Sequence, residues 1–152
     1  MNFWLLKSEP GAFGIDALAK CRRRTTAWDG VRNFQARNML RDDLRRGDRA
    51  FFYHSSCDEP GIVGVVDIVS NGYPDRSAFD PGSKHFDAGS DPANPKWYVV
   101  DVRLRRKLKR TITLAELRGQ RGLQDLPLLK RGQRLSVLPV MPGQWQTILG
   151  LE

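Results

Sequence analysis

Residues 49–69, RAFFYHSSCDEPGIVGVVDIV, decide the fold class. Arg49–Ser55 is a nearly continuous apolar run rich in aromatics, and Ile62–Val69 is rich in Val and Ile. Both compositions suit strand interiors. Between them, Ser56 and Cys57 lead through Asp58-Glu59-Pro60-Gly61, a turn signal. Upstream, Phe3–Lys7 reads as a short apolar strand closed by Pro10-Gly11, and Gly14–Lys20 as a weak helical segment. The basic cluster Arg22-Arg23-Arg24 precedes a loop over Thr25–Gly30. Val31–Arg46 has helical periodicity, with Gly47-Asp48 as its C-cap signal.

Downstream, Ser70–Pro95 is a long irregular stretch dense in Asp, Pro, Gly and Ser, of a length that more often serves function than filler. Trp97–Leu108 alternates as a long strand: Tyr98, Val100, Val102 and Leu104 against Val99, Asp101, Arg103 and Arg105. Thr113 and Glu116 match a capping box opening a short helix, Arg134–Val140 is a last strand, and Pro142–Leu149 is a closing helix. Strands outnumber helices, and no repeat or low-complexity tract interrupts them. The expected class is α+β, a small mixed sheet or barrel with peripheral helices.

Length and charge narrow the function. A chain of 152 residues fits one domain, and at that size burial of roughly 70% of the unfolded surface supports a core without metals or disulfides. The 25 Lys+Arg exceed the 17 Asp+Glu by 8, with a pI near 10.0. That balance favours polyanion partners, nucleic acid or anionic membrane. The apolar runs fall far below the ~20 residues of a membrane span, and MNFWLLKSEP lacks the basic and small-residue elements of a secretory signal. Cys21 and Cys57 follow no metal or redox spacing, so reduced thiols in a cytoplasmic protein are expected.

Catalytic and metal readings find little support. His54 and Ser55 are neighbours on a strand and point to opposite faces, so they cannot pair as base and nucleophile without a bulge. The two His and two Cys match no compact ligand spacing, and no Gly-rich phosphate loop follows a strand. The expectation is therefore a non-enzyme without metal or cofactor.

Two features suit base recognition instead. On a helix over 31–46, Asn33 shares a stripe with Ala36, Leu40 and Leu44. A buried Asn left unbonded costs about 1–3 kcal/mol, so its amide either caps the helix or reads a ligand. Arg37 lies at the edge of that stripe, Arg41 and Arg45 continue from it toward solvent, and such a row is commonly a solvated face. Trp28 sits in a Gly-containing loop, where it either plugs the core or presents a stacking face worth about 1–3 kcal/mol per base. Trp4, Trp97 and Trp145 fall on strands or the last helix and read as core or sheet-face residues.

Taken in order, Phe3-Trp-Leu-Leu-Lys-Ser-Glu-Pro10, Trp28-Asp-Gly-Val-Arg-Asn33, Gln35-Ala-Arg-Asn38, Phe52-Tyr-His-Ser55 and Pro60-Gly-Ile-Val-Gly64 resemble the EVE domain family. Tyr73-Pro-Asp75, Asp80-Pro81, Lys96-Trp97, Val100-Asp-Val102 and Leu135–Val140 extend the match across essentially the whole chain, 1–152. The resemblance implies a PUA-like fold, a mixed β-barrel with flanking helices. It also implies recognition of modified bases in nucleic acid, with modified cytosine in DNA favoured and an RNA reader as the alternative. An enzyme acting on a modified nucleotide is a further alternative. The implied base pocket comprises Lys7, Ser8, Glu9, Trp28, Asp29, Gly30, Val31, Asn33, His54 and Ser55. Arg22, Arg23, Arg24, Arg32 and Arg37 are expected to hold flanking phosphates, in a monomer. Phe34 stands where relatives often carry Tyr, and His85-Phe86 where a Tyr-Tyr or Tyr-Phe pair is common.

Overall fold

In a β-strand successive side chains point to opposite faces, so the unbroken apolar run of residues 50–53 requires a sheet covered on both sides. The computed structural model, which describes residues 1–152, has that arrangement. Its strands are β1 (Phe3–Ser8), β2 (Thr25–Ala27), β3 (Arg49–His54), β4 (Gly61–Ile68), β5 (Tyr73–Pro74), β6 (Tyr98–Val99), β7 (Asp101–Thr113) and β8 (Val137–Val140). The helices are α1 (Pro10–Phe13), α2 (Ile15–Lys20), α3 (Phe34–Asn38), α4 (Leu114–Arg118) and α5 (Pro142–Leu149). Six strands form one curled, half-barrel sheet in the order β2-β7-β4-β3-β1-β8. The β1–β3 pair is parallel and every other pair in it antiparallel. None of the helices is long and apolar enough to cross a membrane.

Ala50 and Phe52 join Trp4, Leu6, Leu18, Trp28, Ala36 and Leu40 on one face. Phe51 and Tyr53 join Leu5, Ile62, Leu117, Trp145 and Ile148 on the other. There the Trp145 ring stacks on Phe51 at 3.9 Å and on Phe3 at 4.5 Å. The long strand β7 serves both cores. Its Val102 and Leu104 face the first, and its Leu108 and Ile112 the second. The exchange occurs where its register against β4 slips between Val65 and Val66, because an extra residue reverses the alternation. Gly64 of β4 has no room for a side chain: a Cβ there would collide with Ile15 of α2.

Several elements depart from the sequence reading. The expected helix over 31–46 begins only at Phe34, because Asn33 is extended (φ −126°, ψ 129°) and its side chain caps α3 by accepting the Ala36 N–H at 3.0 Å. From Met39 to Asp43 the coil widens into a π-type turn, closed by Leu44 N–H donating to Met39 O. Leu40 and Leu44 stay buried, but not on a regular α-helical stripe. The expected loop over 25–30 starts as β2, an edge strand paired with β7. The irregular stretch 70–95 contains β5, which pairs with β6. The strand expected over 97–108 is interrupted at Val100 and then continues to Thr113.

Asp48 fastens the end of the sheet where β1 and β3 begin. Only 4% exposed, it accepts Trp4 Nε1–H (3.0 Å) and Arg45 N–H (3.0 Å) on Oδ2, and Asn2 N–H (2.9 Å) on Oδ1. Asp48→Asn replaces one acceptor oxygen with a donor facing other donors. It is expected to cost about 3 kcal/mol, read as a lower denaturation midpoint with an unchanged slope.

Candidate functional site

At the ends of β1 and β2 the chain leaves the sheet and turns outward, and these exits frame a cavity of about 530 Å³. That volume falls in the range of small-molecule pockets, about 300–1,000 Å³. Lys7, Ser8 and Glu9 line it from β1, and Trp28, Asp29, Gly30 and Val31 from the loop after β2. The remaining wall includes Thr26, Phe13, Ser83, Lys84, His85 and Ser136.

Each polar wall has a definable state. Lys7 takes part in none of the ion pairs, and burial holds its ammonium below the ordinary lysine value. A half-buried, unpaired cation favours an anionic or strongly accepting ligand. Ser8 Oγ donates to Phe13 O, which leaves its lone pairs free to accept. Trp28 is only 6% exposed: its ring meets Phe52 edge-on at 5.4 Å, and its backbone N–H donates to Val100 O at 2.8 Å. It therefore belongs to the core while its remaining surface borders the cavity.

The loop is held open by one carboxylate that sequence reasoning missed as a functional residue. Asp75, 1% exposed, accepts Gly30 N–H (3.0 Å) and Arg32 Nη1 (2.9 Å) on Oδ2, and Ser77 N–H (2.9 Å) and Ser77 Oγ–H (2.6 Å) on Oδ1. Burial pushes its pKa up, but the bonds from Ser77, Gly30 and Arg32 outweigh that and hold it below the usual carboxylate value. Arg32 in turn donates through Nη2 to His85 O at 2.6 Å. The His85 ring lies over Gly30, whose φ is +80°, and a Cβ at position 30 would meet it at 2.5 Å. Glycine is needed here both for the backbone and for the ring above it.

Three residues expected in the pocket lie outside the cavity lining. Asn33 is the α3 cap described above. His54 Nε2 accepts Ile15 N–H at 3.1 Å, and burial lowers its pKa against a smaller opposing pull from Asp16. Ser55 continues the strand, its N–H donating to Ser8 O. Two of the expected phosphate holders are also engaged within the protein. Arg32 is paired with Asp75, and Arg37 donates to Lys96 O (2.6 Å) and Asn38 Oδ1 (2.8 Å). Arg22, Arg23 and Arg24 are exposed and enter no ion pair. Arg23 and Arg24 sit at φ 55° and 52° in the tight turn leading into β2. Ser83, Lys84 and His85 could not be found by periodicity; the signals were the length and composition of the 70–95 stretch and, for His85, the family resemblance.

Comparison with known proteins decides the family. The EVE domain model matches residues 2–151. The chain belongs to the EVE domain family. A curated EVE relative, human thymocyte nuclear protein 1, is 43% identical, covering 99% of this chain and 74% of its own. A crystal structure of a Pseudomonas putida protein superposes with a TM-score of 0.93 at 47% identity, covering 98% of each chain. The structure of human THYN1 protein in complex with 5-methylcytosine-containing DNA superposes with a TM-score of 0.93 at 42% identity, covering 99% of this chain and 97% of that one. The EVE and PUA-like architecture expected from the sequence is therefore the observed one.

Two consequences for stability follow from the site. Gly30→Ala is expected to displace His85 and strain the loop, lowering the denaturation midpoint by an amount equivalent to about 2 kcal/mol. The lowered pKa of His54 places its stabilising contribution above the unfolded histidine value of about 6.5, with loss as pH falls through the lower folded value. His54→Gln can still accept the Ile15 N–H and does not titrate. Its denaturation midpoint should fall less than wild type between neutral and mildly acidic pH.

Proposed function

We propose that this chain is a non-catalytic reader of modified bases in nucleic acid, with modified cytosine in DNA as its favoured ligand. The observation that carries the reading is the cavity itself, in which a tryptophan edge, an unpaired half-buried ammonium and hydroxyl acceptors converge. An extruded or single-stranded base enters between Trp28 and His85. Lys7, Ser8 and Glu9 meet its polar edge, because a base presents donors and acceptors side by side. The solved complex of human THYN1 with 5-methylcytosine-containing DNA, built on the same fold, supports this class of ligand. A methyl group adds only about 0.8 kcal/mol of burial, so selectivity has to come from the shape of the wall.

The exposed Arg22, Arg23 and Arg24 hold flanking phosphates beside β2, where no carboxylate neutralises them. The protein acts as a monomer and without cofactor, and the free thiols Cys21 and Cys57 support a cytoplasmic setting.

The test is titration of methylated and plain oligonucleotides at fixed salt, in matched DNA and RNA series. Trp28→Ala is expected to abolish the preference for the modified base. Ala12→Trp, on the exposed helix α1 at the cavity wall, should do the same without touching the core. Preference retained in Ala12→Trp would refute the cavity assignment. Replacing Arg22–Arg24 by Ala should weaken modified and plain strands alike and flatten the dependence of affinity on salt.

A further inference from the structure

Two residues beyond the cavity-lining Arg32 stands an aromatic side chain that belongs to neither core. Phe34, the first residue of α3, is 56% exposed. An exposed phenylalanine is usually mobile, yet this ring is fixed: it stacks on Trp97 with centroids 4.9 Å apart and planes at 22°. Trp97 is itself 7% exposed and anchored by its indole N–H, which donates to Asp87 Oδ2 at 2.7 Å. The stack thus runs from the interior to solvent and presents aromatic surface there.

Cations surround it. The Arg37 guanidinium lies over the Phe34 ring, 4.9 Å from its centre, and its hydrogen bonds go to the neutral Lys96 carbonyl and Asn38 amide. Arg37 enters no ion pair, so its positive charge remains available to an anion. Arg32 connects this platform to the cavity. Its guanidinium lies 5.4 Å from the Trp97 ring, it donates to the His85 carbonyl, and it lines the cavity wall.

We propose that Phe34, stacked on Trp97 and flanked by Arg37, is a second binding site that takes the nucleotide next to the base in the cavity. The neighbouring base lies against the exposed surface of the Phe34 ring, moving the Arg37 guanidinium from over it, and the phosphate joining the two nucleotides takes up that guanidinium. Pre-ordering of the ring by Trp97 removes the entropy that a free aromatic side chain would lose on binding. The inference rests on the reading of the cavity as a base pocket.

The experiment measures affinity of the full chain for a short single-stranded DNA carrying one 5-methylcytosine, and for the same strand with abasic sites on both sides of it. Phe34→Ala and Phe34→Leu should weaken binding to the complete strand roughly tenfold and leave the abasic-flanked strand unaffected. Phe34→Trp should preserve the affinity. Equal weakening on both strands, or no weakening on the complete one, would overturn the stacking site. Both outcomes remain readable because Phe34 is exposed and its removal leaves both cores filled. The wild-type ratio of methylated to plain cytosine reads the cavity separately. A ratio of one rejects the cavity reading, whereas a preserved ratio with no Phe34 dependence rejects only the platform.

Discussion

Asp75 is the constraint on which the candidate site depends. A carboxylate with 1% exposure is tolerated only where donors satisfy it, and here Gly30, Arg32 and Ser77 all converge on it. Those donors come from two segments far apart in sequence, the loop after β2 and the long stretch after β4. The carboxylate therefore sets the distance between the Trp28 wall and the His85 wall. Through Arg32 the same charge also reaches the Trp97 stack. Cavity and platform share one electrostatic fastening.

Part of the positive charge behind the net +8 is neutralised by ion pairs. Arg105, Arg106, Lys107 and Arg110 of β7 pair with Asp67, Glu152, Asp16 and Glu116. Exposed pairs of this kind contribute little stability, but they neutralise that surface. Lys7 and Lys84 on the cavity wall, together with Arg22–Arg24 and Arg37, are among the cations that enter no ion pair and contribute to the field that an anionic strand meets. A basic pI alone does not locate an anion surface.

Much of the fold was legible because its central strands are continuous apolar runs bounded by turn residues. Residues 49–54 and 61–68 announce buried strands, and the Pro142–Leu149 helix has the expected limits. The losses have physical causes. A side-chain cap on Asn33 competes with helix extension, so a periodic stripe overstated α3. β2 is short, polar and paired at one edge, and carries no alternation to read. At the site, the contiguous segments 7–9 and 28–31 were readable from the resemblance. His54 and Ser55 lie on the same strand end yet outside the cavity lining, which no local pattern distinguishes. Lys84, His85 and Ser136 reach the wall through tertiary folding alone.

The parallel pairing of β1 with β3 means that the chain must travel from Ser8 to Arg49 before β1 finds its neighbour, and the wall bearing Trp28 and Gly30 belongs to that excursion. The opposite rim includes Ser136, immediately before β8, which pairs with the other edge of β1. Non-local pairings of this kind are slow to form. A nascent chain therefore carries no complete cavity until its last strand is added, and a cut before β8 removes part of the rim along with an edge of the sheet. The complete cavity is a property of the sheet with β8 in place.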